Sequence, residues 1–229
     1  MARGRQVIPV AITFSTLACG MLAILLALEG EMPMAGGFIL LGYFLDALDG
    51  ELARSLRANS PFGIELDSIV DEIYSGVAPG VLVIQHVRGG TFGDWPAWVA
   101  GIAFAMAGAY RLARFNLGAG KGKSRQTIGL TISTSGALVA TTVLTDLAYV
   151  ERIFPDWFFL LVLALLSGLM VSRIRFLDLR SVFGNRWVNV AVFSTTVGLA
   201  MWLSPQAASF MALTGYVVFG VLRSGARLY

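Results

Sequence analysis

Asp46-Ala47-Leu48-Asp49-Gly50-Glu51-Leu52-Ala53-Arg54, followed after eight residues by Gly63-Ile64-Glu65-Leu66-Asp67-Ser68-Ile69-Val70-Asp71, sets four aspartates at the ends of two apolar runs. Asp46 and Asp49 are three apart and Asp67 and Asp71 four apart, so each pair shares one helix face. Gly50 removes a side chain beside the first pair, and a turn near Asn59 to Pro61 makes the two helices antiparallel, with the pairs opposite one another. Carboxylates at the edge of hydrocarbon cost several kcal/mol unless paired or metal-bound, so they read as functional. Hard oxygen donors suit Mg²⁺ or Mn²⁺, and one histidine, His86, with one cysteine, Cys19, cannot make a zinc set. Two ions sharing the four aspartates fit the usual spacing of about 4 Å between paired metals, and such ions suit a phosphorylated substrate.

The surrounding chain is a membrane protein by composition. Of 229 residues, 56% are hydrophobic and 14% charged, and the mean hydropathy is +0.74. The net charge of +3 is scattered among short loops rather than gathered into a basic stripe with aromatics, which argues against nucleic acid as a partner. Eight segments approach the roughly 20 residues that a span requires: 7–28, 34–56, 64–86, 95–117, 127–149, 157–175, 187–203 and 207–223. The last two, separated by little more than Ser204, Pro205 and Gln206, also fit a tight re-entrant hairpin. Met1 to Arg5 resembles the start of a signal peptide, but no cleavage site follows, so the first span is expected to be retained.

Arginine and lysine fall fifteen to two between the alternate sides of these spans, with only Arg88 and Arg152 on the poorer side. The positive-inside rule then places both termini, and the aspartates, at the cytoplasmic face of what we read as a prokaryotic plasma membrane. Seven of the fourteen acidic residues lie between Asp46 and Glu72. The expected architecture is an all-α polytopic bundle forming a single domain, residues 1–229, without linker or repeat. Pairs such as Gly76/Gly80 and Gly101/Gly108 are read as close helix contacts. Trp95, Trp98, Trp157, Trp187 and Trp202 fall near span ends, where interfacial anchoring accounts for them. A cation or lipid transporter is the non-enzymatic alternative, but the acids cluster at one end of their spans rather than at the midplane.

The pattern Asp46-x2-Asp49-Gly50-x2-Ala53-Arg54-x8-Gly63-x3-Asp67-x3-Asp71 resembles the signature of the CDP-alcohol phosphatidyltransferase family, with every specified position present. That resemblance implies a six-helix core over about 7–175, two added helices at about 187–223, and a homodimer as the common assembly. It implies a CDP-linked lipid donor, CDP-diacylglycerol or a related CDP-lipid, and a small alcohol acceptor, yielding a phosphodiester-linked lipid and CMP. By the same resemblance Asp46, Asp49, Asp67 and Asp71 hold two divalent ions, and Asp71 is also the general base toward the acceptor hydroxyl. Thr13, Asp49, Gly50, Ala53, Arg54 and Gly63 serve the CDP portion. The chemistry agrees, since cations withdraw charge from a diphosphate and a nearby carboxylate can take the hydroxyl proton late in the attack.

Three further stretches resemble the phosphatidylserine synthase branch: Leu66 to Pro79, Arg111-Leu112-Ala113-Arg114-Phe115-Asn116, and Leu169 to Phe176. They imply L-serine as acceptor. Glycerol phosphate and inositol phosphate are the alternatives, and Ser75-Gly76-Val77-Ala78-Pro79 argues against them. Two departures mark the acceptor side. Pro9 precedes Val10 and Thr16 stands where asparagine is usual in the branch, and Gly129-Leu130-Thr131-Ile132-Ser133 lacks both prolines of its span-five pattern. Candidate acceptor residues are Arg111, Arg114, Asn116, Thr131, Ser133, Arg173 and Arg175. For the arginines, interfacial anchoring and a guanidinium fork on a phosphate or serine carboxylate are both open readings. Lys121, Lys123 and Arg125 are assigned to anionic membrane lipids, and His86 to the far side with no catalytic part.

Overall fold

The computed structural model describes residues 2–55, 61–91, 93–118, 126–177 and 204–225. The expected span 187–203 and the run Lys121, Lys123 and Arg125 lie outside the described residues. The described residues form helices, as expected, together with one short pair of strands. Helix α1 (Ala2–Glu29) meets α2 (Met32–Ser55) through a two-residue turn. Gly30 adopts φ +87°, a left-handed geometry that a glycine accepts freely. The Glu31 N–H then reaches back to the Leu26 carbonyl at 2.8 Å and the Gly30 N–H to the Ala27 carbonyl at 3.2 Å. This paired closure caps α1 and sends α2 back along it.

The third rod is continuous but not uniform. It runs as α3 (Pro61–Asp71), a π-helical segment (Glu72–Val77) and α4 (Ala78–His86). Proline at the first position suits a helix start, while Pro79, inside the rod, offers no N–H to the Ser75 carbonyl one turn earlier. The wider turn falls at that interruption, directly after Asp71. Ser75 donates its hydroxyl to the Asp71 carbonyl at 2.7 Å.

Helix α5 (Trp95–Gly118) follows, then α6 (Ile132–Leu147), α7 (Asp156–Val171) and α8 (Pro205–Gly225). Helix α6 is the central element, with fourteen of its sixteen residues buried. At 1.5 Å per residue it is about 24 Å long, short of the roughly 30 Å of hydrocarbon. Two of its threonines are satisfied within the helix: Thr142 donates to the Leu138 carbonyl at 2.7 Å and Thr145 to the Thr141 carbonyl at 2.7 Å. Small residues bring the rods together. A Cβ on Gly136 would stand 2.5 Å from the Ser75 carbonyl oxygen, and one on Gly80 3.1 Å from the Gly101 carbonyl oxygen. Gly80 and Gly101 thus meet each other, whereas Gly76 and Gly108 both border the Glu72 carboxylate.

Two boundaries differ from the sequence expectation. Spans five and six were expected to begin at 127 and end at 175, but the helices cover Ile132–Leu147 and Asp156–Val171. The flanks instead form an antiparallel pair, β1 (Gln126–Ile128) with β2 (Arg175–Leu177), in which Thr127 faces Phe176. Gly129 stops a helix from extending backward, because it sits at φ +80° with its N–H on the Ile174 carbonyl at 2.8 Å. Those contacts join residues some 45 apart, which no local periodicity reports.

Among the described residues three helical stretches are long and apolar enough to cross a bilayer, Pro9–Glu29, Met32–Leu52 and Pro205–Leu222, and α6 and α7 are shorter apolar helices. Large apolar side chains such as Phe14, Leu25, Ile102, Met106, Leu165 and Phe219 face outward, as in a protein whose solvent is lipid.

Candidate active site

Helices α2 and α3 bring three of the four aspartates together. Asp46, Asp67 and Asp71 bring one carboxylate oxygen each to within 4.8 Å of one another. Asp67 is exposed and the other two are half-buried, so the group opens at one side and is backed by protein on the other. Asp49, nearly a turn farther along α2, is buried and stands outside this trio; its Oδ2 accepts a hydrogen bond from the Thr13 hydroxyl of α1. That hydroxyl also lies 3.0 Å from the Pro9 carbonyl, so α1 holds Thr13 in place from its own backbone. The Thr13–Asp49 link brings together two residues that the resemblance had assigned to the same ligand.

The donor set fits a divalent cation. All the available atoms are carboxylate oxygens, and the Oδ1 atoms of Asp49 and Asp71 are buried and meet no hydrogen-bond donor. Buried anionic oxygens without partners are unfavourable unless something neutralises them. Arg111 supplies one positive charge from α5: it is buried, sits close enough to Asp71 to act on it electrostatically, and keeps its Nε without a partner. Its guanidinium carbon also lies 5.8 Å from the Phe115 ring centre.

The remaining sequence candidates divide. Gly50 and Gly63 lie half-buried on α2 and α3, between the two aspartate pairs in sequence. Ala53 and Arg54 belong to the last turn of α2, and Arg175 to β2, but their side chains lie outside those described. Ser133 stands next to Tyr74, and Thr131 donates to the Thr134 hydroxyl at 2.7 Å. Asn116 donates to the Ser68 hydroxyl at 3.1 Å, one residue from Asp67, and its Oδ1 is buried without a partner. Arg173 is exposed.

Arg114 is engaged with backbone carbonyls. Its guanidinium donates to the carbonyls of Val171 at 2.9 Å, Ile128 at 3.0 Å, Ser172 at 3.1 Å and Met170 at 3.2 Å. These include carbonyls at the end of α7, which lack intrahelical donors. Arg114 therefore closes α7 and ties it to the segment before α6.

Two tyrosines escaped the sequence reading. Tyr43, half-buried on α2, neighbours Thr134 and Asp46. Tyr74, fully buried in the π-helical segment, neighbours Asp46, Asp71 and Ser133. Each stands three residues from an aspartate of its own helix, Asp46 or Asp71, which was the available signal. At the opposite end of the bundle, about 20 Å from Asp71 by helix rise, His86 is buried with its Nε2 2.9 Å from the Asp146 Oδ2. The Asp146 Oδ1 accepts the N–H groups of Ile153 at 2.8 Å and Phe154 at 3.0 Å. That assembly is a structural joint, far from the aspartates.

A family model described as CDP-alcohol phosphatidyltransferase matches residues 6–150, a stretch that includes all four aspartates and the helices carrying them. A Helicobacter pylori protein named CDP-diacylglycerol–serine O-phosphatidyltransferase is 32% identical over 223 residues, covering 94% of this chain and 90% of its own. A protein of that name from Methanocaldococcus jannaschii is 31% identical over 222 residues, 96% of each chain. Another, from Bacillus subtilis, is 34% identical over 169 residues, 74% of this chain and 89% of its own. With three of its four signature aspartates brought together where they could bind a metal ion, the chain belongs to the CDP-alcohol phosphatidyltransferase family, transferases that act between a CDP-linked lipid donor and an alcohol acceptor.

Proposed function

We propose that the chain transfers the phosphatidyl group of CDP-diacylglycerol to the hydroxyl of L-serine, giving phosphatidylserine and CMP. The observation that carries this reading is the convergence of Asp46, Asp67 and Asp71 from two helices, with Asp49 buried beside them. Relatives bearing the serine-specific name match over nearly the whole chain and support the acceptor.

Asp46, Asp49, Asp67 and Asp71 are the residues that would hold the metal, two Mg²⁺ or Mn²⁺ ions, which when bound would draw charge from the diphosphate and the departing CMP. Thr13 fixes the Asp49 carboxylate against α1. Gly50, Gly63, Ala53 and Arg54 border the donor's CDP portion. Asp71 takes the proton of the serine hydroxyl as its oxygen bonds to the lipid-bearing phosphorus; the bond from that phosphorus to the CMP oxygen breaks, and CMP leaves with the electron pair. Arg111 holds the serine carboxylate, a role supported by its burial beside Asp71 and its unpartnered Nε. Ser133, Thr131, Asn116, Arg173 and Arg175 are the further acceptor residues of this reading.

In the membrane we propose eight spans, both termini and the active site at the cytoplasmic face of the plasma membrane, and a homodimer as the assembly. The positive-inside count supports the orientation and the family supports the pairing. The test of function is CMP release from CDP-diacylglycerol by the purified chain with Mn²⁺, screened with L-serine, glycerol phosphate and inositol phosphate. Release with serine alone is expected. Release only with a phosphorylated acceptor would replace serine, and none with any acceptor would end the enzyme reading.

A further inference from the structure

Tyr74 is held by more than its surroundings need. Its side chain is fully buried, and two helices give up side chains to admit it. A Cβ on Gly20 of α1 would stand 2.8 Å from the Tyr74 Cβ and 2.9 Å from its Cα; one on Gly42 of α2 would stand 3.0 Å from its Cδ2. The ring therefore fills a slot cut between α1 and α2, and its place in the π-helical segment puts it three residues beyond Asp71. At the end of that slot the hydroxyl neighbours Asp46, Asp71 and Ser133, yet it completes no hydrogen bond among the described residues.

A phenylalanine would fill the slot equally well. A buried hydroxyl left without a partner costs roughly 1–3 kcal/mol, so its presence calls for a partner in another state of the protein. The groups within its neighbourhood that change state are the carboxylates of Asp46 and Asp71, which must turn oxygen atoms toward a bound cation. A carboxylate so engaged keeps lone pairs on its far side, and a donor there sets its orientation. We propose that the Tyr74 hydroxyl is a positioning donor to the Asp46 and Asp71 pair, giving its one hydrogen to one of the two carboxylates and holding it from the buried side when divalent cations bind. This rests on the metal-ligand part of the functional reading above but not on the identity of the acceptor. Tyr74 touches neither substrate nor cation; it acts through the aspartates.

The test is Tyr74→Phe in the full-length chain, which keeps the ring in its slot. Mn²⁺ affinity is measured from the electron paramagnetic resonance of the free ion, beside steady-state kinetics with CDP-diacylglycerol and serine. The expected result is a Mn²⁺ dissociation constant raised about 10–100-fold and a lower kcat at saturating Mn²⁺, with both substrate KM values within about threefold of the parent. An unchanged Mn²⁺ affinity overturns the proposal. So does a raised serine KM at parental Mn²⁺ affinity, which makes the hydroxyl an acceptor ligand.

Should the variant not fold, 3-fluorotyrosine at position 74 of the otherwise unaltered chain replaces it. Its fluorine resonance should shift when Mg²⁺ saturates, and an unmoved resonance overturns the idea. The two readings fail separately. A parent protein that binds Mn²⁺ but releases no CMP loses the functional reading and leaves Tyr74 testable, whereas an active parent with a Tyr74→Phe variant of equal Mn²⁺ affinity loses only this inference.

Discussion

Replacing Arg114 by alanine separates the two roles that an arginine in this sequence position admits. The structure gives its guanidinium four backbone carbonyls, those of Val171, Ile128, Ser172 and Met170, at 2.9–3.2 Å. Hydrogen bonds to a charged group are worth about 1.5–3 kcal/mol each when fully formed. Three of the four share one nitrogen and the residue is half-buried, so the set is taken as worth about one to two such bonds, roughly 2–4 kcal/mol. For a chain of this length about 1 kcal/mol moves a melting temperature by some 2–4 °C, which predicts a fall of roughly 4–16 °C. Lysine would recover little, since a single ammonium cannot span four carbonyls with a planar fork. The assay is thermal unfolding of the purified protein in detergent, paired with serine KM measured well below the transition. The expected outcome is a lower melting temperature with serine KM within about threefold of the parent. A serine KM raised tenfold or more at unchanged stability would refute the reasoning and return Arg114 to the acceptor.

Three other perturbations test separate parts of the molecule. Asp71→Asn should preserve shape but remove the base and an anionic ligand, so CMP release should fall at least 10²–10⁴-fold; near-parental turnover would remove the base role. Gly136→Ala sets a methyl 2.5 Å from the Ser75 carbonyl oxygen and 2.8 Å from its Cα, against backbone that cannot swing aside. It should cost about 1–3 kcal/mol and lower activity by shifting the π-helical segment, whereas parental stability and turnover would show that this contact is not tight. Asp146→Ala leaves His86 and the N–H groups of Ile153 and Phe154 without their acceptor. A loss of roughly 2–5 kcal/mol is expected from leaving these donors unsatisfied, with serine KM unchanged. A selective KM effect would mean that the far end of the bundle communicates with the aspartates.

Much of this site is legible in sequence because helices repeat locally. Spacings of three and four decide which aspartates share a face, and the short chain between Arg54 and Gly63 decides that the two faces meet. The spans are equally local, since a run of apolar residues near the right length already determines a helix in hydrocarbon. Helix ends were less legible. Residues 127, 128 and 175 read as span ends, but they belong to two short strands, 126–128 and 175–177, that pair with each other across the fold. Their conformation follows from a partner some 49 residues away and from Gly129, not from their own apolar character.

The sequence by itself determined the membrane class, the helical bundle, the aspartate constellation and its kinship, because each is written in composition or in spacing along one or two consecutive helices. The tertiary structure decided what the long-range neighbours do. Arg111 and Arg114 are three residues apart on α5 and chemically identical, yet one is buried beside Asp71 and the other closes α7. Tyr74 reads as one aromatic among many until Gly20 and Gly42 are seen to make room for it beside the carboxylates. The physical reason is the same in each case: a side chain's partner across a helix interface depends on how rods from distant parts of the chain pack, and that packing leaves no periodic trace in the residues themselves.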